Sequence, residues 1–276
     1  MSSQMEPTLK KRYGQHFLRD TGILDRIVNL VRPEAADLMV EVGSGGGALS
    51  IRLAPKVLRL LAIEIDFDLI PRLRQALGPF PNAEVISADI LHMDLPALVA
   101  PYLKPNINLR LVGNLPYNIG TAIIEQLLLS TVPIKDMTFM LQLETAERIG
   151  TAPGSKQYGY FSVFCQHFCE VRMGFKVSPA CFVPRPKVFS ALLSLRPRTG
   201  RNMSELEDDF LMVTKAAFAY RRKKLANSLK RHSGLRSAAE DLLLRAGIDG
   251  SRRAEDLSVE EYENLARIHH ESRIAG

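Results

Sequence analysis

The chain has 276 residues, 46% hydrophobic and 24% charged, ordinary globular values that suit one large domain with a smaller appendage folding unaided. No run approaches the ~20 apolar residues of a membrane helix, and "MSSQMEPTLKKRYGQHFL" lacks the apolar segment of a signal peptide, so a soluble, cytoplasmic protein is expected. The net charge of +6 fits an anionic partner without demanding one, and three cysteines (Cys165, Cys169, Cys181) suit a reducing compartment.

In chain order, a basic tail containing Lys10, Lys11 and Arg12 precedes an amphipathic helix, "GILDRIVNLV". From Asp37, short apolar runs read as strands over 37–43, 58–66, 83–89, 109–114 and 136–144, with helical spacing between them. Runs this continuously apolar belong to strands covered on both faces, which predicts a parallel sheet with crossover helices. The runs 169–177 and 189–197 are joined by a link too short for a parallel crossover, so the sheet should be mixed at one edge. Cys165 and Cys169 sit on one side of a helix end as small buried residues, and no second ligand pair follows at zinc spacing, so no metal is expected. Near residue 200 the pattern turns helical and charged. The expected division is an α/β domain over 1–200 and a small helical, basic domain over 201–276.

The first strand ends in "EVGSGGGALS", where Gly43, Gly45 and Gly47 make a tight strand-to-helix turn that a ligand can approach closely. The pattern matches a dinucleotide fingerprint, and Glu64, 21 residues beyond Gly43, is placed like a ribose-binding acid. Two features favour S-adenosylmethionine over NAD. Asp89 adds an acid where an adenine amino group would donate, and acids around the loop, such as Glu41, are tolerable beside an ammonium but not a pyrophosphate. Glu41 also reads as a group that orients the loop, and Asp89 as a helix cap.

"LVGNLPYNIG" ends the fourth strand in Asn114, Leu115, Pro116 and Tyr117. Beyond the carboxyl ends of such a sheet lies the ligand cleft. The side-chain oxygen of Asn114 and the carbonyl of Leu115 are acceptors for the N–H groups of an exocyclic amine and stabilise the charge that develops when it is methylated. Pro116 fixes φ and lacks an N–H, and Tyr117 offers a face on which a base stacks. The plain alternative is an ordinary turn with a buried tyrosine.

Taken together, "GQHFL", "EVGSGGGALS", "AIEID", "ISADI", "NLPYNIG", "CFVPRPKVFSALL" and "AFAYRRKKLANSL" resemble, in order, the ribosomal RNA adenine-N6 dimethyltransferases, most closely their small-subunit branch. The resemblance implies a Rossmann-like class I S-adenosylmethionine-dependent methyltransferase sheet with a small C-terminal helical domain. It implies dimethylation of two adjacent adenosines near the 3′ end of small-subunit rRNA, coupled to subunit biogenesis; separately, a monomer is expected. It further implies cofactor contacts at His16, Leu18, Gly43, Gly45, Glu64, Asp89 and Asn114, and a target base between Tyr117 and Phe182, the latter held out on a rigid "FVPRP" loop. Three positions depart from the family pattern: His16 stands for the usual asparagine, Ser44 replaces a proline, and Phe189 replaces a common aspartate. The phosphate contacts expected are Lys10, Lys11 and Arg12 together with Arg221, Arg222, Lys223 and Lys224. Rival readings are the large-subunit branch that confers macrolide resistance, a DNA adenine methyltransferase, an assembly factor with secondary activity and, weakest, an NAD oxidoreductase.

Overall fold

The computed structural model describes residues 16–198 and 204–275; Lys10, Lys11 and Arg12 lie outside them. Two compact units are present. The first holds the described residues up to Ala146 together with Arg172–Arg196; the second holds Glu147–Val171 and the described residues from Pro197 onward.

The first unit opens with a two-residue strand, β1 (Phe17–Leu18), and α1 (Thr21–Val31), capped by the Asp20 carboxylate accepting from the Ile23 N–H at 2.9 Å. There follow β2 (Asp37–Val42), α2 (Ser50–Leu53), β3 (Arg59–Glu64), α3 (Ile70–Leu77), β4 (Ala83–Ser87), α4 (Leu95–Val99), β5 (Asn108–Asn114), α5 (Gly120–Leu129) and β6 (Ile134–Gln142). Then come α6 (Leu143–Ile149), α7 (Tyr160–Phe168), β7 (Cys169–Val177), β8 (Phe182–Val183) and β9 (Ser190–Pro197). The main sheet runs β4-β3-β2-β5-β6-β9-β7. Its first five strands are parallel and β9 pairs antiparallel with β6, so the sheet is mixed as expected. Every residue of β2 is buried, as a central strand covered on both faces requires. One covering layer is apolar: Leu24, Ile27, Val28 and Val31 of α1, with Leu53, Leu73 and Leu77, pack over Met39, Leu60, Ala62, Val112 and Met140.

Strand order reverses at β2: β3 and β4 lie to one side of it and β5 to the other. In an open α/β sheet this switch point leaves a crevice beyond the carboxyl ends of the strands. Gly113 allows β5 to approach β2 there, since a Cβ on it would stand 2.3 Å from the Val42 carbonyl oxygen.

In the second unit, α8 (Glu205–Phe218), α9 (Leu225–Leu229), α10 (Ala239–Ala246) and α11 (Val259–Ala275) form a helical core around Phe210, Val213, Leu229, Leu242, Tyr262 and Leu265. Tyr158 and Val163 belong to the same core, so the segment before β7 packs with the C-terminal helices. His167 is stacked on Phe210, 3.6 Å between ring centres, with Glu263 2.9 Å from its Nδ1. Cys165 and Cys169 are buried at the end of α7, as expected. Among the described residues, no helix is long and apolar enough to cross a membrane, and no group of His, Cys, Asp and Glu is arranged to hold a metal ion.

Candidate active site

Two adjoining cavities open at the switch point. One is lined by Leu18, Glu41, Gly43, Gly45, Gly46, Arg72 and Asn114. The other is lined by His16, Glu64 and Asn114–Tyr117, and Phe17, Gly43, Gly45 and Asn114 border both. Gly43, Gly45 and Gly47 all have positive φ, the left-handed region that favours glycine, which is why the turn after β2 is written in glycines. The loop hangs on β3: the Gly43 and Ser44 N–H groups both donate to the Ile63 carbonyl at 3.0 Å.

Glu64 ends β3 with its carboxylate folded into this loop, Oε2 accepting from the Gly45 N–H at 2.7 Å and Oε1 from the Asp66 N–H at 2.8 Å. Each oxygen keeps a second lone pair, so the group can also accept from a diol. Burial pushes its pKa up against the pull of those backbone donors. Glu41 is more extreme. Buried in β2, its Oε2 accepts from the Ser50 hydroxyl at 2.5 Å, and burial raises its pKa from 4.5 to about 8. Two carboxyl groups in one low-dielectric cleft make a place for a cation and a poor one for a pyrophosphate.

Asn114 is the junction of the site. Its Nδ2 donates to the His16 backbone carbonyl at 2.8 Å, which fixes the amide plane and leaves Oδ1 as the open acceptor. The following turn is set by the Leu115 N–H donating to the Met140 carbonyl and by the Pro116 carbonyl accepting from Ile119 and Gly120, which starts α5. Leu115 itself is buried. Tyr117 is half-buried, its hydroxyl 2.7 Å from that of Ser190, and its ring lies 5.3 Å from the His16 imidazole. Burial raises the Tyr117 pKa, so the phenol stays neutral at physiological pH. His16 is held in turn by its Nδ1 against the Pro184 carbonyl at 2.8 Å.

The structure thus brings His16, Leu18, Gly43, Gly45, Glu64, Asn114, Leu115, Pro116 and Tyr117 to one cleft. Two expected residues fare differently. Phe182 is not an aromatic held out on a loop: it is 2% exposed, paired with Leu18 across the β1–β8 ribbon and packed in the core beneath it. Antiparallel pairing turns its ring inward, and the aromatic left exposed on this segment is Phe189, at 50%. Asp89 lines neither cavity. It accepts from the Leu91 N–H and lies 2.9 Å from His92 Nδ1, the capping arrangement its position also allowed. Sequence reasoning missed Ser190 and Phe17. Ser190 is a small polar residue opening a buried strand, and only the pairing of β9 with β6 shows that it reaches Tyr117.

In the second unit, Arg221 donates to the Lys156 and Tyr158 carbonyls and lies 3.5 Å from Glu255, so its guanidinium clamps a loop. Arg222, Lys223 and Lys224 are exposed.

A glycine loop, a strand-end carboxylate and an amide-bearing turn at the switch point of this sheet define a Rossmann-like class I methyltransferase. More narrowly, the chain belongs to the ribosomal RNA adenine dimethylase family, whose model matches residues 7–271. It is 43% identical to the ribosomal RNA small subunit methyltransferase A of Saccharophagus degradans over 93% of each chain. To the protein of the same name from Alkaliphilus oremlandii it is 40% identical, over 93% of this chain and 90% of the other. A dimethyladenosine transferase from Plasmodium falciparum shares the fold, with a TM-score of 0.81 at 23% identity over 94% of this chain and 98% of that one. The 23S rRNA methyltransferase ErmE is 28% identical, with a TM-score of 0.66 over 91% and 98%. The fold class and the family resemblance expected from the motifs are both borne out.

Proposed function

We propose that the protein dimethylates N6 of two adjacent adenosines near the 3′ end of small-subunit rRNA, using S-adenosylmethionine, as a cytoplasmic monomer acting in subunit biogenesis. The observation that carries this reading is the Asn114 amide, locked by its donor end to the His16 carbonyl between the glycine loop and Tyr117. The small-subunit assignment rests on the names of the 43% and 40% identical relatives.

The residues present fit the cofactor. Glu64 suits the ribose hydroxyls, Glu41 suits an ammonium, and His16, Leu18, Gly43 and Gly45 border the space between them. Asp89, one strand further out, exchanges the exposed His92 imidazole for the adenine amino group. When bound, S-adenosylmethionine supplies an electrophilic methyl group. The protein supplies position and acceptors. Adenine N6 is a weak nucleophile because its lone pair is delocalised into the ring. Asn114 Oδ1 and the Leu115 carbonyl accept its N–H groups, draw the nitrogen toward tetrahedral geometry and stabilise the charge it gains. Tyr117, steadied by Ser190, stacks on the base after it leaves its helix. No general base is required at the attack, since the amine becomes acidic only once alkylated. Phe182 acts through packing: it holds β1, and with it the His16 carbonyl on which Asn114 depends. On the RNA side, Arg222, Lys223 and Lys224 neutralise phosphates, with Lys10, Lys11 and Arg12 of the tail, while Arg221 supports the loop beneath them.

Incubation with labelled S-adenosylmethionine and small subunits lacking adenine dimethylation tests the reading. Asn114→Ala should cut transfer about 100- to 1,000-fold, with a much smaller change in cofactor affinity. Near-normal turnover by that variant would remove Asn114 from the mechanism.

A further inference from the structure

Four glycines follow one another closely in the loop after β2, and three of them are explained by positive φ. Gly46 is not. What it faces is a side chain: a Cβ on Gly46 would stand 3.1 Å from Nε and 3.5 Å from Cζ of Arg72, on α3, tight enough that the guanidinium would have to give way. The missing methyl leaves room for the Arg72 side chain against the loop, at the rim of the cavity that Leu18, Glu41 and Asn114 also line.

Arg72 makes no ion pair or hydrogen bond among the described residues. The contrast with its neighbour is informative. Arg52, which shares the outer groove with it, is tied to Asp25 at 2.9 Å and to the Ala48 carbonyl at 2.8 Å. A bare guanidinium and a buried carboxyl group in one cavity present opposite partners for a zwitterion. His16, on the adjoining cavity, has its Nδ1 already held by the Pro184 carbonyl, whereas the Arg72 guanidinium is uncommitted.

We infer that Arg72 binds the α-carboxylate of the cofactor's amino-acid end, so that specificity for the intact methionyl group is read by a residue of α3 lying across Gly46. This rests on the cofactor reading given above. A planar fork of donors matches a carboxylate in two bonds, and a lysine would keep the charge but not the match.

Calorimetric titration separates the possibilities, because 5′-methylthioadenosine keeps the nucleoside and lacks the amino acid. Arg72→Met should weaken S-adenosylmethionine binding about 10- to 100-fold and leave methylthioadenosine unchanged, with Arg72→Lys in between. Gly46→Ala should reproduce part of the loss, and the loss should vanish when Arg72 is already Met, since both act through one side chain. An unchanged S-adenosylmethionine affinity in Arg72→Met, or equal losses for both ligands, would overturn the inference. Loss of small-subunit binding with cofactor affinity intact would assign the guanidinium to an RNA phosphate and overturn it as well. If the wild-type protein bound no S-adenosylmethionine at all, the cofactor reading itself would fall, and this inference with it.

Discussion

Asp37 and Glu41 lie in one strand, both buried, toward its amino and carboxyl ends, which face the two opposite rims of the sheet. At the amino edge Asp37 accepts from Arg110 at 2.8 Å. The same guanidinium reaches Asp136 at 2.9 Å and donates to the Val31 and Arg32 carbonyls. Every charge there has a partner supplied by the chain. At the carboxyl edge Glu41 has a serine hydroxyl and no ion pair among the described residues, and burial holds it near neutral with a pKa of about 8. The first edge is finished by folding. The second has only a hydroxyl for its carboxyl, and under the proposed function it is where the cofactor's ammonium would bind.

The largest effect comes from breaking the finished edge. Arg110→Met strands two carboxylates in the sheet and should cost about 3–5 kcal/mol of unfolding free energy, read in urea. A cost under about 1 kcal/mol would mean that Asp37 and Asp136 find other partners. Phe182→Ala carries a cost of the same order, about 3–5 kcal/mol, because it empties a core position beneath β1. Cofactor and RNA binding should then fall together. Loss of RNA use alone, in a protein as stable as the wild type, would return Phe182 to the base.

A smaller effect sharpens the comparison at Glu41. Its folded pKa lies above its unfolded one, so its contribution to stability is fully present below pH ~4.5 and is lost as pH rises through about 8. A cation beside it expels the proton. Cofactor affinity should therefore rise with pH up to about 8, with close to one proton released per ligand near pH 6.5, counted by calorimetry in buffers of different ionisation enthalpy. Glu41→Gln should flatten both profiles. A wild-type profile already flat from pH 5 to 8 would show that the cofactor does not engage this carboxyl.

Much of this was legible in the residues. Among the strands from Asp37 to Gln142, β2, β3 and β5 stand out because both of their faces are buried and their runs are largely apolar. The glycine loop and "NLPY" declare themselves because each position has a backbone reason. What escaped was short or long-range. The strands β1 and β8 have two residues each, too few for any periodicity, and their register decides that Phe182 faces inward. The link from Ser190 to Tyr117 spans 73 residues and depends on how β9 meets β6. The membership of Tyr158 and Val163 in the C-terminal core follows from packing partners far along the chain. Arg221, read from its run of basic neighbours, proved to hold carbonyls, because charge density says where a cation is and not what already occupies it.

The most direct test counts and maps methyl groups. Protein and labelled S-adenosylmethionine are incubated with small ribosomal subunits lacking adenine dimethylation, with large subunits and duplex DNA alongside. The account requires up to four methyl groups per small subunit, all on two neighbouring adenines near the 3′ end of the rRNA. Labelling confined to large subunits or to DNA would contradict it, as would small subunits that bind the protein and take up no label.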